Sequence, residues 1–101
     1  MDTKSIKELG ILHEVSTSEH VSQRYLSKKL GMTSGLVNLY IKRLARKGYI
    51  KITGMNRRRL KYFLTPSGIA QKTRLTYEFA MISYKYLKNP NGGIKVKQAA
   101  E

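Results

Sequence analysis

Residues 22–48 most constrain the fold of this chain, because two short helical patterns meet there at a glycine. Ser22 is placed as an N-cap, whose hydroxyl can accept a backbone N–H of the first helical turn. Leu26 and Leu30 then lie four residues apart, on one face of a helix. Gly31 follows, where helices commonly end in a left-handed conformation that glycine adopts easily. This pattern predicts a short helix that ends in a sharp turn.

A second helix is predicted directly after this turn. Thr33 can cap it, and Val37, Ile41 and Leu44 recur at helical spacing along one inward face. Gly48 supplies its end. Two helices joined by a tight glycine turn, the second with a polar and basic outer face, are typical of a helix-turn-helix.

The residues before this pair predict a first helix over residues 4–16. Ile6, Leu9 and either Leu12 or His13 share one of its faces, with Val15 close to it. Residues 17–21 are then a connection. We expect this helix to pack across the following pair and to carry no chemistry.

A β-hairpin is predicted after the second helix, because the apolar period changes from helical to alternating. The candidate strands are residues 49–53 and residues 60–64. Residues 54–59 between them hold turn formers followed by a basic triplet. An arginine at a hairpin tip can enter a narrow minor groove, and a solvated charged loop is the alternative. The triplet consists of Arg57, Arg58 and Arg59.

Residues 65–68 are predicted to end the strand and start a long helix, whose body is residues 69–88. Pro66 suits its first turn, where the missing N–H is no loss. Its apolar side chains spread over more than one face, so more than one side should be buried. The stripe that we assign to dimerisation is formed by Leu75, Phe79, Ile82 and Tyr86. A second apolar surface comprises Tyr77, Ala80, Met81, Tyr84 and Leu87.

One side of this last helix can lie on its own domain, and the other needs a partner. A second copy of the chain is the simplest partner, because symmetric homodimers are the commonest oligomers. A monomer with a few exposed tyrosines is the alternative. Turn and breaker residues follow the helix, and we expect residues 89–101 to form a flexible tail.

Taken together, these elements predict an α+β fold that is mostly α. It is a winged helix-turn-helix with three helices and a two-stranded wing, followed by a long C-terminal helix. The expected divisions are a DNA-binding domain at residues 1–65, the helix at residues 66–88 and the tail at residues 89–101. A chain of 101 residues suits a single small domain.

Charge distribution is the strongest indication of function. The formal net charge is +14, and 14 of the 20 Lys and Arg residues lie between His20 and Tyr77, where no Asp or Glu occurs. A solvated surface normally mixes signs, because like charges raise the energy of the compact state. A field of one sign suits a polyanion, most often nucleic acid. A membrane-surface module is disfavoured, because this stretch has no wide apolar face to spare for lipid.

Several other classes are disfavoured by what the sequence contains. The absence of cysteine excludes disulfides and cysteine-ligated metals. His13 and His20 have no second ligand at a convincing metal spacing, so we expect no metal and no cofactor. No carboxylate pair or activated nucleophile indicates an enzyme. Apolar runs are too short to span a bilayer, and the N-terminus lacks a signal-peptide core, so a soluble cytoplasmic protein is expected.

The stretch SQRYLSKKLGMTSGLVNLYIKRLARKGYIKI, with the LTPSG that follows it, resembles the MarR-type winged-helix regulators. In that group a Leu-Thr-Pro-x-Gly segment commonly leads from the wing into a C-terminal helix. The combination is most similar to small MarR-like regulators linked to exopolysaccharide genes. Larger members have extra flanking helices that often enclose a ligand pocket. This chain has one helix at each end, which argues against a small-molecule effector.

The resemblance implies that the second helix of the pair enters the major groove of double-stranded DNA. Asn38 is the best candidate to read a base, since an amide can pair with adenine N6 and N7. Ser22 and Thr33 are candidates both for helix caps and for DNA contacts, and Tyr40 for core or backbone contact. The residues assigned to DNA binding are Ser22, Gln23, Arg24, Thr33, Ser34, Gly35, Leu36, Asn38, Leu39, Lys42, Arg43, Arg57, Arg58 and Arg59. Further candidates for phosphate contacts are Lys28, Arg46, Lys47 and Lys51.

The sequence therefore favours a homodimeric, sequence-specific transcription regulator that binds double-stranded DNA. An RNA- or ribosome-associated winged helix would use the same charge, but no paired stacking platform of aromatics is evident. A protein-interaction module, whose basic face meets an acidic partner, is the third class.

Overall fold

The computed structural model describes residues 2–18, 21–54 and 60–88. Its elements follow the predicted order, and the predicted winged helix-turn-helix fold with a long C-terminal helix is confirmed. They are α1 (Thr3–Thr17), α2 (Gln23–Leu30), α3 (Ser34–Arg46), β1 (Ile50–Thr53), β2 (Lys61–Leu64) and α4 (Pro66–Lys88). The predicted hairpin tip and the predicted tail lie outside the described residues.

The N-termini of the first three helices are capped by the side chains that precede them. Asp2 Oδ1 accepts from the Ser5 backbone N–H at 2.8 Å, and the bonds from Ser5 lower the pKa of the Asp2 carboxyl. Ser22 Oγ accepts from the Tyr25 N–H at 3.0 Å. Thr33 Oγ1 accepts from the Leu36 N–H at 3.1 Å. Each bond satisfies a donor that has no partner within the helix.

Glycine determines the turn between α2 and α3. Gly31 has φ of 65°, the left-handed conformation predicted from its position, and it ends α2. Met32 follows it in the core. The turn therefore places Thr33 where it can begin α3, which establishes the helix-turn-helix.

The wing is a two-stranded antiparallel sheet in which Ile50 pairs with Leu64 and Ile52 with Tyr62. Ile50 and Tyr62 are buried, whereas Lys51 and Phe63 are exposed, so the predicted alternation holds next to the domain. Ile52 shares the face of Ile50 and pairs with the buried Tyr62, but it is itself 37% exposed. Among the described residues of the wing, Ile50 and Tyr62 belong to the core, and Leu60 and Leu64 pack against it.

The segment Thr65–Gly68 fixes the start of α4 against the end of the helix-turn-helix. Thr65 Oγ1 donates to the Gly48 carbonyl and accepts from the Gly68 N–H at 2.9 Å. The Thr65 N–H also donates to the Tyr49 carbonyl at 3.1 Å. A Cβ on Gly68 would lie 2.0 Å from that carbonyl oxygen, so only glycine permits this approach.

One core draws on every helix and both strands. α1 packs against α2, α3, α4 and β2, as expected of a helix that crosses the others. The buried apolar residues are Ile11, Leu12, Val15, Val21, Leu26, Met32, Val37, Tyr40, Ile41, Leu44, Ile50, Tyr62 and Leu75. Within the described ranges, no helix has the length and apolar character needed to cross a membrane.

Candidate nucleic-acid interface

Helix α3 has one face in the core and the opposite face open. Val37, Ile41 and Leu44 are at most 1% exposed, which confirms the predicted inward stripe. Ser34 and Lys42 are exposed on the opposite side of the helix. Because the buried stripe fixes the rotation of α3 about its axis, it also fixes which side chains face outward.

The outward face of α3 forms one wall of a groove of about 930 Å³. The beginning of α2 and the base of the wing form the remaining walls. Its lining residues are Ser22, Gln23, Arg24, Ser34, Gly35, Asn38, Lys42, Leu60 and Tyr62. No carboxylate is among them, and two cationic side chains are. The groove therefore suits a ligand that is negatively charged and rich in hydrogen-bonding groups.

Seven of these nine lining residues belong to the set assigned from sequence to DNA binding. Sequence reasoning missed Leu60 and Tyr62, because their alternation placed them on the inward face of the wing. Tyr62 is 8% exposed and does belong to the core, yet it borders the groove as well. The alternation of a strand predicts which face of the sheet a side chain lies on, but it does not predict which other elements lie beside that face.

Two amide side chains meet inside the groove. Gln23 Nε2 donates to Asn38 Oδ1 at 2.9 Å, and both residues are half-buried. The bond links the first residue of α2 to the second turn of α3. Asn38, which is predicted to read a base, is therefore held by Gln23, which belongs to the segment predicted to contact phosphates.

The first turn of α2 brings polar groups and positive charge to the groove. Ser22, Gln23 and Arg24 occupy its cap and first two positions. Helix N-termini favour anions, since their N–H groups and the helix dipole present partial positive charge. Ser22 and Thr33 both act as caps, which settles the structural half of their predicted roles.

Three further assignments are refined by packing. Leu36 is half-buried against the core, so Leu39, at 51% exposure, is the apolar side chain that α3 leaves outside. Tyr40 is a core residue, and the Arg43 guanidinium carbon lies 5.3 Å from the centroid of its ring. Arg43 is thus held over an aromatic face by a cation–π contact and does not line the groove.

The acidic residues of α1 are turned inward. Glu14 accepts a hydrogen bond from Tyr25 Oη at 2.8 Å. Glu8 Oε2 lies 4.0 Å from Lys47 Nζ. Glu8 and Glu14 are both at most 9% exposed. These two negative charges are therefore buried, and neither residue lines the groove. Lys47, a predicted phosphate contact, is partly occupied by this ion pair.

The predicted arginine triplet of the wing lies outside the described residues. Lys28, Arg46 and Lys51, the other predicted phosphate contacts, are exposed. None of these three borders the groove. They are available to a ligand larger than the groove itself.

The dimerisation stripe on α4 divides at the edge of the domain. Leu75 is 2% exposed and belongs to the core, which differs from its assignment to a partner surface. Phe79, Ile82 and Tyr86 are 46%, 45% and 67% exposed. The same helix face thus passes from the domain core into open surface. The second predicted surface is exposed at Tyr77, Ala80, Met81, Tyr84 and Leu87.

Residues 4–51 match the family of winged helix-turn-helix DNA-binding domains. The matched span runs from α1 through α3 into β1, so it contains both helices that line the groove. The match and the structure agree on a winged helix-turn-helix fold.

The chain is similar in fold to solved structures that include a MarR family protein, the group that its sequence resembles. It is 25% identical to MepR, a transcription regulator of the Staphylococcus aureus multidrug efflux pump MepA, with a TM-score of 0.67 over 84% of this chain and 62% of that chain. It is 23% identical to MepR in the S. aureus MepR–DNA complex, with a TM-score of 0.72 over 89% of this chain and 65% of that chain. A MarR family protein of Mycobacterium tuberculosis is 24% identical, with a TM-score of 0.61 over 70% of this chain and 55% of that chain.

The chain therefore spans less than two thirds of the length of these three structures. No curated protein sequence matches it. The likeness is one of fold, so the site is defined by the side chains of this chain.

Proposed function

We propose that the protein is a sequence-specific transcription regulator that binds double-stranded DNA as a homodimer. The observation that carries the proposal is the groove: α3 and the first turn of α2 line it with amide, hydroxyl and cationic groups, and no carboxylate. Base edges in a major groove offer donors and acceptors, and the flanking phosphates offer charge. Those are the complements of what this groove presents.

In this proposal α3 lies in the major groove and the start of α2 lies on the phosphate backbone. Asn38 and Ser34 contact bases, and Leu39 meets a thymine methyl group. Arg24 and Lys42 contact phosphates on either side. The arginine triplet of the wing reaches the flanking DNA, as predicted from the sequence. The DNA in the MepR complex supports this docking, because that protein shares the fold of this chain.

The second copy of the chain is proposed to bind along α4. Phe79, Ile82 and Tyr86 continue the buried face of Leu75 beyond the domain, and the described part of the chain leaves them 45–67% exposed. Pairing two such helices would remove this surface from water. A homodimer also supplies two copies of α3 for a site with two-fold symmetry.

The proposal assigns no catalytic role and no cofactor to the protein, and it places the protein in the cytoplasm with the DNA that it regulates. A small-molecule effector is not part of it. The expected link to exopolysaccharide genes remains a prediction from sequence resemblance.

Selection of bound duplexes from a random pool tests this function directly. We expect a pseudo-palindromic consensus, and an affinity for it that falls steeply with salt. Several phosphate contacts imply a log–log slope of several units, at roughly 0.9 per contact. Competition with structured RNA and with duplex of random sequence provides the controls. No enriched sequence, salt-independent binding, or preference for RNA would each contradict the proposal.

A further inference from the structure

The hydrogen bond between Gln23 and Asn38 joins the two helices that the proposed function gives different tasks. Gln23 belongs to the helix placed on the phosphate backbone, and Asn38 to the helix placed among the bases. The Nε2–Oδ1 distance of 2.9 Å is that of a well-formed bond. The two residues are 15 positions apart in the chain, so the contact exists only through the turn at Gly31.

This bond limits the orientation of the Asn38 amide. The last torsion of an asparagine side chain is broad and roughly two-fold, and a half-turn exchanges its oxygen and nitrogen. In the structure Gln23 is the donor, which places Oδ1 of Asn38 toward α2. Asn38 then keeps both Nδ2 hydrogens and one lone pair of Oδ1 for a base, while Gln23 keeps Oε1 and one N–H.

Both ends of the bond are held by rigid surroundings. Gln23 directly follows the cap Ser22 and lies on a helix anchored by Leu26, which is fully buried. Asn38 lies next to Val37, which is also fully buried and fixes the rotation of α3. Since neither backbone can shift easily, the bond holds the amide before DNA arrives and lowers the entropy cost of recognition.

We infer that Gln23 is a specificity-determining residue that acts through Asn38, so that the two amides read one base pair as a unit. This inference rests on the proposed function. Gln23 orients Asn38, and Asn38 makes the contact with the base edge. Without Gln23, the Asn38 amide can rotate, and it then binds base edges that present donors and base edges that present acceptors with more similar affinity.

A double-mutant cycle on the selected DNA site tests the inference. The position read by Asn38 is first identified as the one at which Asn38→Ala loses base preference. The affinities of Gln23→Ala, Asn38→Ala and the double variant are then measured for the consensus site and for sites with each of the three other base pairs at that position. We expect Gln23→Ala to reduce discrimination at that same position by about tenfold, the scale of one good side-chain–base pairing. The double variant should show the same base preference at that position as Asn38→Ala alone, because Gln23 acts only through Asn38.

Arg24→Ala is the matched control, since Arg24 is the next residue on the same helical turn and lines the same groove. It should weaken binding to all sequences by a similar factor and leave base preference unchanged. In the free protein, the side-chain amide resonances of Asn38 should shift in Gln23→Ala but not in Arg24→Ala.

Two results would overturn the inference alone. One is a Gln23→Ala variant that keeps full discrimination at the Asn38 position, and the other is additive losses across the cycle. A wild-type protein without preference at any position would instead overturn the proposed function, which makes the two failures distinguishable.

Discussion

Gly68 shows how a single residue can hold two parts of the fold together. Its missing side chain lets the first turn of α4 lie against the Tyr49 carbonyl, which also accepts the Thr65 N–H. Thr65 adds a bond to the Gly48 carbonyl on the same side. The start of α4 is therefore fixed to the end of the helix-turn-helix by backbone contacts that no larger residue would permit.

Gly68→Ala is expected to destabilise the protein by about 1–3 kcal/mol, because the added methyl group overlaps backbone that is held by hydrogen bonds. Chemical denaturation followed by circular dichroism measures this loss. Gly35→Ala is the matched control, since Gly35 is also helical and a methyl group added there would meet no heavy atom within 4 Å. It should leave stability unchanged or slightly higher, as alanine favours helices by up to about 1 kcal/mol. Equal stability of the two variants would contradict the tight approach at Gly68.

At the level of elements, α4 changes role along its length. Its first half contributes Leu75 to the core, and its second half carries apolar side chains that no part of the described chain covers completely. The Arg74–Glu78 ion pair, at 2.6 Å, lies outside the stripe that contains Leu75. The helix is long enough to serve both the domain and a second copy.

The double variant Phe79→Glu with Ile82→Glu is expected to be monomeric. Two carboxylates in an apolar helix–helix contact would have to be desolvated without partners, and this cost in free energy exceeds the stabilisation that the apolar contact provides. Light scattering coupled to size-exclusion chromatography measures the change. Lys85→Glu is the control, because Lys85 is exposed on the same half of α4 and off the stripe. A double variant that stays dimeric would place the dimer contact elsewhere.

Features set by near neighbours in the chain were predicted correctly, whereas the extent of the core along α4 and one contact between two helices were not. The caps at Ser22 and Thr33 and the turn at Gly31 follow from local hydrogen bonding and backbone geometry, so the sequence was sufficient. Periodicity placed Leu75 on the right face of α4, but it could not say where the domain ends along that face. The bond between Gln23 and Asn38 depends on two helices meeting, and no local pattern encodes it.

For the whole molecule, the arrangement of the two proposed reading helices determines which DNA sites can be bound. In a symmetric dimer each α3 should enter successive turns of the same face of the duplex. We expect half-sites separated by about 10 base pairs, or a multiple of it, centre to centre.

Inserting about 5 base pairs between the half-sites should reduce affinity to that of a single half-site, because the second half-site then faces the opposite side of the duplex. Inserting about 10 should restore part of the loss. Electrophoretic mobility shifts on a graded series of spacers measure both effects. Affinity that ignores spacing would mean that each copy of the chain binds DNA independently.

The anchored start of α4 has a mechanical consequence for such a dimer. A helix of 23 residues is about 35 Å long, so a tilt of ~5° at its fixed end moves its far end by about 3 Å. That displacement is close to the rise of one base pair, about 3.4 Å. In the proposed dimer, rigidity at Thr65 and Gly68 would therefore set how strictly the spacing of the two half-sites is selected, and a looser joint would tolerate a wider range of spacings.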